Sequence, residues 1–142
     1  MKIIKQLIHP YLLIVSFFVI FISGEHLGGF YLLYLLLALP HGGIHSLLGL
    51  FGVVFLSLGH KKLKKSKADV FGNIINILGV IAMVVSIFLF FYNDVAHYNY
   101  GTFNEPASLI TLAIFGLIAF GFLIENLVSI LRIFSGNSNA VI

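Results

Sequence analysis

Cysteine and tryptophan are both absent from this chain of 142 residues. Without cysteine there are no disulfides, no thiolate metal ligands and no cysteine nucleophile. Without tryptophan, an aromatic belt at a membrane surface has to come from the six tyrosines. Charge is scarce as well, because Asp, Glu, Lys and Arg make up 9% of the residues, against about 25% in a soluble domain.

Apolar residues are correspondingly abundant. They form 60% of the chain, and the mean hydropathy is +1.10. A soluble domain of this size leaves too much of its surface exposed to hide so many apolar side chains. We therefore expect an all-α polytopic membrane protein in a lipid bilayer, with no soluble domain. The formal net charge of +3 does not indicate nucleic-acid binding.

Four apolar stretches are long enough for a crossing, which needs about 20 residues. The first is similar to a signal peptide, because a basic start with Lys2 and Lys5 precedes an apolar run, but we interpret it as an uncleaved span that begins near Ile3 and includes Lys5. Between the spans lie a basic loop, residues 60–69, with five lysines in seven residues, and a polar external loop, residues 93–106. The predicted spans are residues 3–23, 27–59, 70–92 and 107–131.

The second stretch, residues 27–59, is unusually long and contains no Asp, Glu, Lys or Arg. As a single straight helix it would measure about 50 Å. Pro40 to Gly43 at its centre is a strong helix-breaking sequence. We expect one crossing that is bent or broken at residues 40–46, or a hairpin of two short helices that raises the total to five crossings.

The positions of the basic residues favour four crossings. In that arrangement all eight Lys and Arg residues and both termini face the cytoplasm, as basic flanking segments prefer. Loop 60–69 is then cytoplasmic, and the protein is expected in the cell membrane.

His41 and His45 lie in the breakable centre of the second stretch. On a continuous helix their i, i+4 spacing would place both rings on one face, an arrangement that metal sites use. Ionisable side chains at membrane depth are costly and often functional. The pair could bind haem b, a quinone or a divalent metal, and a metal site could also include His26 and His97. Alternatively, the two imidazoles hydrogen-bond to neighbouring helices and serve packing.

A second polar group occurs where the last two spans approach the cytoplasm. It contains Glu125 and Asn126 on the last span and Asn73 and Asn76 on the span before it. These residues could form a proton-accepting cluster. We favour hydrogen bonding between two antiparallel helices, with Glu125 reaching water at the interface.

The first functional prediction is a small integral membrane accessory or scaffold subunit that packs against larger membrane protein partners. A bundle of this size has little room for a transport path and almost no mass outside the membrane. The alternative is a haem-, quinone- or metal-binding membrane subunit, or a metal-dependent membrane enzyme, that uses His41 and His45. A small channel is the last alternative.

Overall fold

The computed structural model describes residues 9–65 and 69–138, with side chains described as far as Ser135. Predictions for residues 1–8, including Lys2, Lys5 and the start of the first span, for residues 66–68 and for the terminus 139–142 lie outside this range. Two short 3-10 turns cover Leu39–His41 and Tyr100–Phe103. The helices and strands, in chain order, are α1 Pro10–Phe18, β1 Phe21–Ile22, β2 Gly29–Phe30, α2 Tyr31–Ala38, α3 Ile44–Lys65, α4 Val70–Tyr92 and α5 Pro106–Ser138.

Three helices, α3, α4 and α5, are long and apolar enough to cross a membrane. They indicate a helical protein embedded in a lipid bilayer. Helix α4 has the bounds of the predicted span 70–92. Its start is set by Asp69, which caps the first turn by accepting a hydrogen bond from the Gly72 amide at 3.1 Å. Helix α1 contributes nine described residues, fewer than the roughly 20 that a crossing needs.

The backbone between α1 and α2 contains two short extended segments. The sequence predicted helix at both, because one lies within the predicted span 3–23 and the other within 27–59. Strands β1 and β2 pair antiparallel, with Phe21 opposite Phe30 and Ile22 opposite Gly29. Residues far away in the sequence stabilise this geometry. Thr111 Oγ1 accepts a hydrogen bond from the Phe21 amide at 2.9 Å, and unpaired backbone amides are costly in an apolar setting.

The long second stretch is broken at Pro40–Gly43. Helix α2 passes into the 3-10 turn, Gly42 then adopts a left-handed conformation with φ of 70°, and α3 begins at Ile44. The amide of Gly43 donates to the carbonyl oxygen of Ala38 at 3.0 Å. A side chain at Gly43 would come within 2.9 Å of Ala38 Cβ. Glycine therefore allows α2 to turn tightly into α3.

Helices α3 and α4 pack closely because glycines line their contact. A Cβ at Gly52 would lie 2.7 Å from Met83 Cγ and 2.8 Å from the carbonyl oxygen of Gly79. A Cβ at Gly79 would lie 3.0 Å from the carbonyl oxygen of Gly52. The two backbones thus meet directly, as small residues permit in membrane helix pairs. Leu56, Val80 and Met83 are fully buried in the same core.

Candidate functional site

The histidines of the central stretch occupy two different segments. His41 ends the 3-10 turn, is exposed, and has Nδ1 3.0 Å from the Leu37 carbonyl oxygen. His45 lies in the first turn of α3 with its ring 5.4 Å from that of Phe90. Because the helix is interrupted at Gly42, the predicted shared helical face of the pair does not form. His45 Nε2 is buried without a hydrogen-bond partner among the described residues.

A buried hydrogen-bond chain lies next to His45. Ser86 Oγ donates to the His45 carbonyl oxygen at 2.6 Å, and Tyr31 Oη lies 2.9 Å from Ser86 Oγ. Serine carries one hydroxyl proton, so Tyr31 must be the donor in the second bond. Tyr31 and Ser86 are both completely buried. The chain joins the start of α2, the start of α3 and the second half of α4.

Sequence reasoning missed Tyr31, because tyrosine was assigned to the membrane surface. The ring instead packs edge-on against Phe17 and Phe90, with centroids 5.2 and 5.3 Å away. Tyr31 lies in a run of leucines, so the local sequence gives no indication that its hydroxyl takes part in a buried hydrogen bond. Burial of Tyr31 and Leu35, four residues apart on α2, depends on contacts that local sequence does not reveal.

His26 and His97 lie on the loops at the opposite end of the bundle from the lysines. The ring of His26 is 4.6 Å from Tyr98, and the ring of His97 is 4.3 Å from Tyr100. Over residues 9–65 and 69–138, no three His, Asp or Glu side chains come together in a way that could hold a metal ion. The structure therefore does not assemble His26, His41, His45 and His97 into one metal site.

A cluster of three aromatic rings joins α1 to the basic end of α3. The ring of His60 lies 5.0 Å from His9 and 5.4 Å from Tyr11. His60 directly precedes Lys61 and Lys62, so the described start of α1 lies at the lysine end of the bundle. At the other end, the Ser23 amide donates to Thr102 Oγ1 at 2.9 Å.

The amide residues of the second polar group form a contact between helices. Asn76 Nδ2 donates to Asn126 Oδ1 at 3.0 Å, and Asn126 Nδ2 donates to the Phe122 carbonyl oxygen at 2.7 Å. Asn73 Nδ2 donates instead to the Asp69 carbonyl oxygen at 2.9 Å. Glu125 is exposed on another side of α5. The carboxylate is therefore not part of a buried proton-accepting cluster.

One face of α5 is exposed along almost its whole described length. We call this face the α5 stripe. Its residues recur at alternating intervals of three and four, and all eight are apolar and exposed. They are Ile110, Ala113, Leu117, Phe120, Ile124, Leu127, Leu131 and Phe134.

Comparisons of the chain with protein-family models, curated proteins and solved structures find no match.

Proposed function

We propose that the protein is a small accessory subunit of a larger membrane assembly, and that it docks through the α5 stripe. In this proposal the chain crosses the cell membrane four times, with both termini and the lysine loop in the cytoplasm. The path of residues 9–23 supports a fourth crossing. It begins beside His60 at the lysine end and reaches Thr102 on the opposite loop.

The reach of the α5 stripe to Phe134 is the observation that carries the proposal, because α3 and α4 also expose apolar residues at intervals of three and four. Apolar residues at intervals of three and four form the seam through which one helix packs against another. Leu117 is 74% exposed and Leu131 is 67% exposed. Among the described residues, α2, α3 and α4 leave this seam uncovered.

Lipid alone does not account for the end of the stripe at Phe134, which this proposal places on the cytoplasmic side. Asn76 lies about 9 Å along α4 from its first residue, Val70. Since Asn76 pairs with Asn126 and the two helices are antiparallel, Arg132 on α5 reaches the level of Val70. Phe134 lies beyond that level and is 62% exposed. An apolar face that continues to headgroup depth is better covered by protein.

Glu125 adds a polar requirement next to the stripe, one residue after Ile124 and about 100° further around the helix. It lies beside Asn126, at a depth of about 9 Å from the start of α4, and its side chain is exposed. In the described part of the chain the ion pair found is Lys62–Asp69 at 3.9 Å, which does not involve Glu125. A carboxylate at this depth is costly without a partner. A basic or hydrogen-bond-donating residue of the partner subunit would satisfy it.

Native electrophoresis in mild detergent tests the proposal. We expect the wild-type protein to migrate in a complex larger than the single chain. Glu125→Gln should weaken that complex, whereas Glu105→Gln should not, because Glu105 is also exposed but lies before the start of α5. Glu125→Lys should abolish the complex, because it places a positive charge where the proposal requires an acceptor. Migration as a single chain, unaffected by either Gln variant, would refute the proposal.

A second candidate function, haem binding, is favoured by the orientation of His41. Histidines that bind metals usually hydrogen-bond their other ring nitrogen to a carbonyl or carboxylate, and His41 Nδ1 has this contact with Leu37. Nε2 would then be the iron ligand. A Cβ at Gly42 would meet no atom within 4 Å, which leaves room for a flat ring. The second axial ligand would come from another subunit.

The visible spectrum of protein purified from membranes distinguishes this second candidate. A Soret band that is lost in His41→Ala and kept in His45→Ala would support axial ligation by His41. A colourless wild-type protein, after expression with haem supplied, would rule it out and leave the accessory role unaffected.

A further inference from the structure

An open apolar groove separates the outer halves of α4 and α5. We call it the outer groove. Its volume is about 560 Å³, within the range of roughly 300–1,000 Å³ that ligand sites occupy. Aliphatic and aromatic side chains form its walls, and the 3-10 turn after α4 closes one end. The lining residues include Val84, Tyr92, Tyr100, Phe103, Leu112 and Gly116.

Gly116 shows that the wall of the groove is left open. A Cβ at Gly52 or Gly79 would collide with the neighbouring helix, but a Cβ at Gly116 would meet no atom within 4 Å. The missing side chain at Gly116 therefore does not serve contact between the described helices. It widens the groove between α4 and α5 instead.

Polar groups occur at one end of the groove only. Tyr92 and Tyr100 lie at the end nearest the loop 93–105, and Tyr92 is 70% exposed. The exposed ring of His97 lies 4.3 Å from Tyr100. Tyrosine hydroxyls at the end of an apolar site suit a ligand with an aliphatic tail and a polar head at the membrane surface.

We propose that the outer groove binds one acyl chain of a phospholipid from the leaflet on the side of loop 93–105. The volume favours a chain over a protein helix. A helix about 10 Å across fills roughly 420 Å³ in each turn of 5.4 Å, so the groove would accept little more than one turn. An acyl chain is thin enough to lie along the groove beside Gly116, with its headgroup near Tyr92 and Tyr100. This site is distinct from the α5 stripe, and its test does not depend on a partner subunit.

The absence of tryptophan allows a clean fluorescence test. Phe103→Trp places a reporter in the groove, and Ile81→Trp places one on an exposed part of α4 outside it. Both proteins are reconstituted in phosphatidylcholine vesicles with brominated chains, which quench tryptophan, and are then diluted into an excess of unbrominated vesicles and detergent. We expect fluorescence at position 103 to recover several-fold more slowly than at position 81, because a bound lipid exchanges more slowly than its neighbours.

Filling the groove should remove that difference. Adding Gly116→Leu, or separately Val84→Phe, to the Phe103→Trp protein should make recovery as fast as at position 81. Equal rates for the two reporters in the otherwise unaltered protein would overturn the proposal. A groove reporter that is never quenched would also overturn it, because the site would then be closed or filled by protein. Native mass spectrometry of the wild-type chain provides a measurement without substitution: one retained phospholipid is expected, and none would contradict the site.

Discussion

The side-chain amide of Asn76 donates a hydrogen bond to Asn126 Oδ1 at 3.0 Å, and both residues are almost completely buried. Asn126 in turn donates to the carbonyl oxygen of Phe122. The pair joins α4 to α5 in a part of the bundle where apolar side chains supply most other contacts. It therefore sets how the two helices align along their length.

A double-mutant cycle of Asn76→Ala and Asn126→Ala should reveal this bond. Hydrogen bonds between membrane helices are worth about 0.6 kcal/mol on average and up to about 1.7 kcal/mol, and we expect a coupling energy in that range. Unfolding in mixed micelles of increasing SDS content measures it. Asn73→Ala combined with Asn126→Ala is the control, and their effects should add, because Asn73 bonds to Asp69. A coupling of zero for Asn76 and Asn126 would contradict the contact.

Two Gly→Ala substitutions should have different effects. At Gly52 the new methyl group would lie 2.8 Å from the carbonyl oxygen of Gly79, so α3 and α4 must move apart. Overpacking of this kind costs on the order of 1–3 kcal/mol. At Gly116 the methyl group meets open space, and alanine favours helix more than glycine does. The same SDS titration should show a clear loss of stability for Gly52→Ala and none for Gly116→Ala.

The buried chain next to His45 predicts an order of stability losses. Tyr31→Phe removes one hydrogen bond, which costs about 0.5–1.5 kcal/mol. Ser86→Ala removes both bonds and leaves the Tyr31 hydroxyl buried without an acceptor, which costs about 1–3 kcal/mol. Ser86→Ala should therefore be the more harmful change in an unfolding titration. Equal losses, or a larger loss for Tyr31→Phe, would show that Ser86 does not link the two groups.

The parts of the fold set by local sequence could be predicted. Helix α4 is an uninterrupted apolar run that begins after a capping Asp69, and the break before α3 follows from Pro40 and the left-handed Gly42. The pairing of β1 with β2 could not, because each strand has two residues and distant side chains such as Thr111 hold it. The spacing of His41 and His45 alone could not decide whether their rings share a face. The i, i+4 argument requires a continuous helix, and the break falls between the two rings.

Single-cysteine labelling tests the proposed orientation, and the chain has no cysteine of its own. Val95→Cys lies on loop 93–105, which we place outside the cell, and Val95 is 86% exposed. Lys64→Cys lies in the basic segment that we place in the cytoplasm. A membrane-impermeant maleimide should label position 95 in intact cells and position 64 only after permeabilisation. The reverse pattern would invert the topology.

Photocrosslinking from the α5 stripe in living cells tests the proposed accessory role most directly. A photoreactive amino acid replaces Phe120 in the stripe, which is 64% exposed, or, as a control, Ile81 on α4, which is 47% exposed. The proposal predicts a discrete protein adduct from position 120 that is lost when Glu125→Lys is added, and no such adduct from position 81. Identical results at the two positions, without a protein adduct, would mean that lipid covers the stripe and that the protein does not dock through α5.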